Sequence, residues 1–223
     1  MNHFLKTSPL IVIRKLFLYF FGMFLLSLGI ALSIKAGLGV SPTTSFPYVL
    51  SQVMSFDIGL ATTLVFTIYI VVQAIILRDE FHHINWLQLF VASVFGGFLS
   101  FSNNLVNFIS PELYAIRMAL FLFSMLLMAL GIIVYMSPNF LLQPPEGLVS
   151  ALAQKSGWEF GKIKLYFDNF SIATTIILIL FSGVGFIGIR EGTFISALVF
   201  GKVISVLSKR ITPILSAYCS AAN

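Results

Sequence analysis

Long uncharged runs of apolar residues are the feature that most limits what this chain can fold into. Six such runs cover most of the sequence: 16–34, 36–56, 58–77, 84–111, 118–145 and 169–189. A helix needs roughly 20 apolar residues to cross the hydrocarbon core of a bilayer, and most of the runs reach that length. Because the runs are continuously apolar rather than alternating, they favour helices over a β-barrel. The sequence therefore predicts an all-α, polytopic membrane protein whose surroundings are the lipid bilayer.

The composition excludes several other classes of protein. With 58% hydrophobic and 9% charged residues, the chain has too few polar side chains to cover the surface of a soluble domain. The net charge of +5 does not indicate a nucleic-acid partner, because the basic residues lie at helix ends rather than in one patch. Cys219, the single cysteine, excludes an intramolecular disulfide and a cysteine-based metal cluster. No Ser/His/Asp set and no paired catalytic carboxylates are found, so we expect no enzyme activity, metal or cofactor.

Six membrane spans are predicted, and their charges predict an orientation. The spans cover about 16–34, 59–77, 86–106, 117–136, 164–187 and 193–207. We interpret the first as an uncleaved helix rather than a signal peptide, because no small-residue cleavage site follows it. With both termini in the cytoplasm, nine basic residues lie inside: Lys6, Arg14, Lys15, Arg78, Lys155, Lys162, Lys164, Lys209 and Arg210. Three lie outside: Lys35, Arg117 and Arg190. This bias is the one that membrane proteins follow.

The two halves of the sequence resemble each other. Three short motifs recur in the same order, at shifts of 102, 102 and 105 residues: 28–30 with 130–132, 56–59 with 158–161, and 92–96 with 197–201. Each half holds three predicted spans, an odd number, so the second half is expected to insert upside down relative to the first. The prediction is a single membrane domain, 1–223, built as an inverted 3+3 repeat of about 16–106 and about 117–210.

A proline-containing break interrupts each half at an equivalent position. Pro42 and Pro47 lie in the first break, and Pro144 and Pro145 lie in the second. Proline disfavours a continuous helix but suits the first turn of a new one. We therefore predict two re-entrant half-helices, 43–55 and 145–156, that enter from opposite faces and point their N-termini inward. Such helix starts offer free N–H groups and a partial positive charge to a polar or anionic solute.

The predicted substrate-binding residues lie at these two helix starts. They are Ser41, Thr43, Thr44, Ser45, Gln143 and Glu146. Glu146 is the most informative of them, because a carboxylate inside the membrane costs roughly 2.5–3.5 kcal/mol. Two interpretations stay open and are compatible: Glu146 binds a proton or cation, or it caps its own half-helix.

Lys164 and Asp168 form a predicted pair. Their spacing of four places both side chains on one face of the fifth predicted span. One interpretation is an ordinary interfacial ion pair. The other is a gate that closes the cytoplasmic side of the site.

Several of these motifs resemble the YczE/YyaS/YitT family of bacterial integral membrane proteins. The stretch 28–42 resembles that family's first-helix motif, and 144–148 resembles its Pro-Arg-Asp-Gly-Leu stretch, with Pro145 in place of the arginine. Lys164 and Asp168 are similar to its Arg…Glu pair, and 191–201 is similar to its closing Gly-Thr…Ala…Gly pattern. At Thr43 and Thr44 the family commonly has an aromatic residue and an aspartate. The resemblance extends from about Arg14 to Lys209 and implies a location in the bacterial cytoplasmic membrane.

The function expected from these features is secondary transport of a small polar or anionic solute, either with or without coupling to a proton or cation. One alternative is a substrate-binding membrane subunit of a multi-component uptake system. Another is an accessory or scaffold membrane protein that transports nothing. A homodimer also stays open, because so small a chain encloses little space alone.

Overall fold

The computed structural model describes residues 9–185 and 187–220, and this part of the chain is all-α, as predicted. Within it lie eight α-helices: α1 (Pro9–Ala36), α2 (Pro42–Met54), α3 (Ile58–Leu77), α4 (Leu87–Leu105), α5 (Tyr114–Met136), α6 (Pro144–Ser156), α7 (Phe160–Ser182) and α8 (Glu191–Ser220). Two 3-10 turns, Arg78–Glu80 and His83–Trp86, join α3 to α4. Lys6 and the side chain of Cys219 lie outside the described residues.

Five helices in the described part are long and apolar enough to cross a membrane. They occupy Leu10–Ala36, Ile58–Glu80, His83–Leu105, Tyr114–Met136 and Phe160–Ser182. The sixth predicted span, 193–207, lies within α8, which is not one of these five. The chain is thus a multi-helix membrane protein.

Three helices differ most from their predicted bounds, and the first is α1, which begins at Pro9 rather than at about 16. α7 begins at Phe160 and ends at Ser182, whereas the predicted span was 164–187. Gly183 ends the helix because it adopts a left-handed backbone with φ of 70°, which glycine tolerates at little cost. α8 continues to Ser220, beyond the predicted end at 207, and includes Pro213 within the helix.

The two short helices agree with the predicted half-helices to within one residue at each end. α2 and α6 contain 13 residues each, and both begin at a proline, Pro42 and Pro144. The preceding residues, Ser41 and Gln143, have extended backbones, as expected before proline. Proline therefore sets where both short helices start.

α1 and α5 form the tightest helix pair in the fold. A Cβ atom on Gly131 of α5 would lie 2.5 Å from the backbone nitrogen of Leu26 on α1. Gly29 of α1 is equally close to α5, since a Cβ there would lie 2.8 Å from the backbone nitrogen of Met128. Small residues let two backbones approach in this way, which is how membrane helices gain packing energy.

The remaining helices pack in matching pairs, with one exception. α2 packs on α7 and α6 packs on α3, so each short helix lies against a long helix of the other half. Likewise, α4 packs on α1 and α8 packs on α5. The exception concerns the last two helices of each half, because α3 packs along α4 whereas α7 hardly touches α8.

Candidate functional site

A cavity of about 480 Å³ lies where the starts of α2 and α6 meet. Its wall is mostly apolar, with Leu26, Phe66, Phe95, Met128 and Phe200 among the lining side chains. The polar part of the wall includes seven of the eight predicted site residues: Ser41, Thr43, Thr44, Gln143, Glu146, Lys164 and Asp168. A mostly apolar pocket with a few converging polar groups is typical of a small-molecule site.

Ser45 is the predicted site residue that does not line this cavity. Its side chain is fully buried between α2 and α7. The hydroxyl donates to the carbonyl oxygen of Pro42 at 2.7 Å and shares a 3.0 Å hydrogen bond with the hydroxyl of Thr175. The hydrogen bonds of Ser45 therefore hold α2 against α7.

Lys164, Asp168 and Thr43 form a compact polar cluster on the cavity wall. The ammonium group of Lys164 lies 2.7 Å from Asp168 Oδ1 and donates to Thr43 Oγ1 at 2.8 Å. Thr43 in turn donates to Asp168 Oδ1 at 3.1 Å. The cluster joins the start of α2 to α7, so the ion pair predicted within one helix also connects two helices.

The first turn of α2 satisfies its own polar groups. Ser41 precedes the helix, and its hydroxyl lies 2.8 Å from the hydroxyl of Thr44. The carbonyl oxygen of Ser41 also accepts the backbone N–H groups of Thr44 and Ser45, each at 3.0 Å. Both hydroxyls and both backbone N–H groups are therefore bonded within this turn.

The first turn of α6 has the same geometry but leaves two side-chain atoms without partners. Gln143 and Glu146 occupy the positions that Ser41 and Thr44 hold in α2, at a shift of 102. Gln143 Nε2 and Glu146 Oε2 are buried, and neither has a hydrogen-bond partner among the described residues. Gln143 is only 3% exposed, and both residues line the cavity. Buried polar atoms are rarely left unpaired, so a water molecule or a solute in the cavity would form its hydrogen bonds here.

The prolines of α6 reduce the number of backbone donors that we expected there. Pro144 and Pro145 carry no N–H group, and the N–H of Gly147 is already bonded to the carbonyl oxygen of Gln143 at 2.8 Å. Of the first three helical residues, only Glu146 has a backbone N–H, and its own carboxyl group accepts that N–H. The expected array of free N–H groups is therefore smaller than the sequence pattern predicted.

All ionisable residues on the described cavity wall come from the second half of the chain. They are Glu146, Lys164 and Asp168. The matching positions of the first half carry Thr44, Thr62 and Phe66, which also line the cavity. The two halves thus contribute the same positions but different chemistry, two carboxylates and one ammonium group against neutral side chains.

The contact between α3 and α4, called the α3–α4 seam here, is closed. A Cβ atom on Gly96 would lie 2.6 Å from the carbonyl oxygen of Gly59, and one on Gly59 would overlap the carbonyl oxygen of Gly96. The Ser100 hydroxyl of α4 donates to Asp57, which also caps α3 by accepting the Gly59 N–H at 2.8 Å. Helix backbones in direct contact leave no passage there.

The matching α7–α8 seam is open. Gly161 and Gly201 hold the positions of Gly59 and Gly96, yet a Cβ atom on either would meet nothing within 4 Å. Both glycines line the cavity, as do the exposed side chains of Leu165 and Ala197. The cavity therefore opens between α7 and α8.

The glycine positions of the two seams lie at opposite ends of the helix bundle. Gly59 lies at the start of α3, whereas Glu80 directly follows the end of α3. Glu80 lies 2.6 Å from Lys155 near the end of α6, only a few residues before α7 starts. The end of α3 and the start of α7 are therefore at the same end, so the start of α3 is at the other.

A buried amide pair supports the start of α6, and our sequence analysis missed it. Gln73 of α3 donates to Gln88 Oε1 of α4 and to the carbonyl oxygen of Pro144, both at 3.1 Å. Gln88 returns a bond to Gln73 Oε1 at 3.3 Å. Isolated glutamines inside long apolar runs were the available signal, because buried amides in lipid-like sequence need partners.

The predicted outer basic residues gather around one end of the bundle. Arg117 donates to the carbonyl oxygens of Ala36 at 2.7 Å and Gly37 at 2.5 Å, and Arg190 reaches Gly37 at 3.0 Å. The carboxyl of Glu191 has a lowered pKa, because it accepts its own backbone N–H and lies beside the guanidinium groups of Arg190 and Arg117. Arginines thus bind the end of α1 to the starts of α5 and α8.

Comparisons with known proteins place the chain in a family. Residues 13–209 match the family described as a family of unknown function, DUF6198. The uncharacterized membrane protein YczE of Bacillus subtilis is 27% identical over 198 residues, which cover 87% of this chain and 85% of that protein. No solved structure matches. The matched region includes every residue that lines the cavity, and the chain therefore belongs to the DUF6198 family and is similar to YczE along most of its length.

Proposed function

We propose that the chain is a small secondary transporter that exposes one central cavity alternately to the two sides of the membrane. The observation that carries this proposal is the asymmetry of the seams. The α3–α4 seam is closed by Gly59 and Gly96, whereas Gly161 and Gly201 face open space at the α7–α8 seam. A scaffold protein does not need a cavity of about 480 Å³. Nor does it need two matching helix contacts of which one is closed and the other is open.

In a protein built as an inverted repeat, this asymmetry between the two seams provides a mechanism for alternating access. Each half of such a protein can adopt the conformation of the other, and exchanging the two conformations moves the opening to the opposite face. In the exchanged state Gly161 packs against Gly201, and the α3–α4 seam separates. Ser205 and Glu159 occupy the positions of Ser100 and Asp57, so the hydrogen bond that closes one seam has a matching pair at the other.

The orientation is part of the proposal. We place the chain in the bacterial cytoplasmic membrane as six spans with both termini inside, α8 providing the sixth. The α7–α8 opening then faces the cytoplasm, and the described conformation is open inward. Cysteines placed by Arg78→Cys and Arg190→Cys test this orientation with a membrane-impermeant thiol reagent. We expect labelling of the first from inside only and of the second from outside only, and the reverse pattern would overturn the orientation.

Cross-linking across the open seam tests the alternating mechanism. Cys219→Ser leaves a chain without native thiols, into which Gly161→Cys and Gly201→Cys are introduced together. A disulfide requires Cα atoms within about 7 Å, so oxidation of the reconstituted protein traps only a closed α7–α8 seam. We expect cross-linking of most molecules during prolonged oxidation. A pair that never cross-links would overturn alternation.

A matched pair controls for random collision. Leu198 lies on α8 near Gly201 but points outward, with 76% of its surface exposed. The combination of Gly161→Cys with Leu198→Cys is expected to remain reduced, because seam closure does not bring Leu198 to α7. In the cross-linked Gly161–Gly201 protein, a cysteine introduced by Ser100→Cys should react faster with the reagent than in the protein without the cross-link, because this half-buried position then loses its contact with Asp57. An unchanged reaction rate would contradict the exchange.

A further inference from the structure

We propose that the cavity binds a compact amphipathic amine, a molecule with a protonated amino group beside a hydrogen-bond acceptor on an apolar body. This inference rests on the proposed function for what the binding is used for, and it narrows the expected polar or anionic solute to one chemical class. It depends on four features of the cavity: its unpaired side-chain atoms, its charged groups, its small number of backbone N–H donors and its apolar wall.

The unpaired atoms define the polar part of the ligand. Glu146 Oε2 is an acceptor without a donor, and Gln143 Nε2 is a donor without an acceptor, within the described residues. The two residues are one helical turn apart at the start of α6. A ligand that satisfies both atoms therefore carries a donor and an acceptor close together. Leaving buried polar atoms unpaired is costly, so such a ligand is favoured over one that lacks either group.

The matching site in α2 shows that this arrangement is specific to α6. At the same two positions, the hydroxyls of Ser41 and Thr44 bond to each other at 2.8 Å. Both starts have an extended residue followed by proline, so the backbone does not explain the difference. The side chains do. Among the residues that the structure describes, the buried side-chain atoms without a partner, Gln143 Nε2 and Glu146 Oε2, both belong to the start of α6.

The charges of the wall favour an amine over an anion. Lys164 is already paired with Asp168 at 2.7 Å, which leaves the Glu146 carboxylate to interact with a ligand. An anionic solute would meet two carboxylates and one paired ammonium group. It would also find few backbone donors, because Pro144 and Pro145 contribute none. A protonated amine instead forms a charge-assisted hydrogen bond with Glu146.

The rest of the wall accommodates an apolar body. Side chains from α1, α3, α4, α5 and α8 face the cavity: Leu26, Phe66, Leu99, Met128 and Phe200. The opening between α7 and α8 is also edged by apolar groups, among them Leu165 and Ile204. An inorganic ion or a fully polar solute would leave most of this surface without favourable contacts.

A series of four probes tests the ligand class on the unmodified full chain in lipid nanodiscs, by calorimetric titration. Phenylalaninamide carries an amine and a carbonyl on an apolar body. Removing the carboxamide group gives 2-phenylethylamine, removing the amine gives 3-phenylpropanamide, and the anionic counterpart is 3-phenylpropionate. We expect phenylalaninamide to bind tightest and the amine-free amide and the anion to bind roughly tenfold more weakly or worse. Equal or tighter binding of the anion overturns the proposal.

Variants assign the two contacts. Glu146→Gln should weaken phenylalaninamide binding roughly tenfold while leaving 3-phenylpropanamide nearly unchanged. Gln143→Leu should remove the advantage of phenylalaninamide over 2-phenylethylamine. Glu112→Gln, at an exposed glutamate between α4 and α5 that does not line the cavity, should preserve the order of the probes. If Glu146→Gln leaves amine binding unchanged, Glu146 is not the recognition group and the proposal fails.

The titrations test the ligand class independently of the cross-linking experiment, which tests the proposed function. The titrations need no transport, and the Gly161–Gly201 cross-link needs no ligand. A seam that closes in a protein without amine preference overturns the ligand class and leaves the transporter proposal standing. Amine binding by a protein whose seam never closes supports the ligand class and overturns alternation.

Discussion

Gly59 and Gly96 pack backbone against backbone, so closely that a Cβ atom on Gly96 would lie 2.6 Å from the carbonyl oxygen of Gly59. Gly161 and Gly201, at the matching positions of the second half, have space around them. One chain therefore contains a closed and an open version of the same helix contact. A substitution in one half can therefore be compared with the matching substitution in the other half as its control.

The first prediction compares Gly59→Ala with Gly161→Ala. Both glycines are the second residue of their helices, so the change in helix propensity is the same. Only Gly59→Ala forces a methyl group into a neighbouring backbone, at a cost of about 1–3 kcal/mol. Gly161→Ala should leave stability unchanged or raise it by up to about 1 kcal/mol. Denaturant titration of both variants in detergent micelles measures the difference, and equal effects would contradict the closed seam.

The second prediction concerns the coupling of Lys164 to Asp168. Lys164→Gln and Asp168→Asn each leave one charge without its partner, so their combination should destabilise less than the sum of the single changes. We expect a coupling free energy of about 1–3 kcal/mol in a double-mutant cycle. Lys162→Gln supplies the control, because Lys162 stacks on Trp158 instead, 4.4 Å from the ring centroid. Its effect should add to that of Asp168→Asn, and a coupling of the same size would show that the pairing is not specific.

The third prediction concerns the buried amides that support α6. Gln73→Leu deprives Gln88 and the carbonyl oxygen of Pro144 of partners, and should cost about 1–3 kcal/mol. Adding Gln88→Leu should cost little more or restore part of the loss, because it removes the unpaired amide. Gln52→Leu, at an exposed position of α2, should change the unfolding midpoint only slightly. Additive effects of the Gln73 and Gln88 substitutions would exclude the shared hydrogen-bond network.

The fourth prediction concerns Arg117, whose fork binds two adjacent carbonyl oxygens after α1. Lysine keeps the charge but cannot reach both oxygens in the same geometry. Arg117→Lys should therefore lower stability by about 1–2 kcal/mol. Arg78→Lys, at an exposed position at the other end of the bundle, is the matched control and should have little effect. A similar loss in both variants would mean that the two carbonyl contacts contribute nothing measurable.

The sequence determined the membrane class, the eight-element layout and the starts of the two short helices. Continuous apolar runs allow only helices in lipid, and Pro42 and Pro144 can occupy the first turn of a helix but not its middle without penalty. These constraints are local, so they can be recognised from the sequence without a structure. The sequence also identified Glu146, because a carboxylate in an apolar segment is conspicuous wherever it lies.

Only the tertiary structure decided which helix faces meet and which remain apart. A lipid-facing side chain and a helix-facing side chain are equally apolar, so periodicity cannot show that Gly59 meets Gly96 while Gly161 and Gly201 stay open. Nor could the sequence show that Ser41 and Thr44 satisfy each other while Gln143 and Glu146 have unpaired atoms. Those outcomes depend on side-chain geometry at one turn of a helix and on neighbours about a hundred residues away.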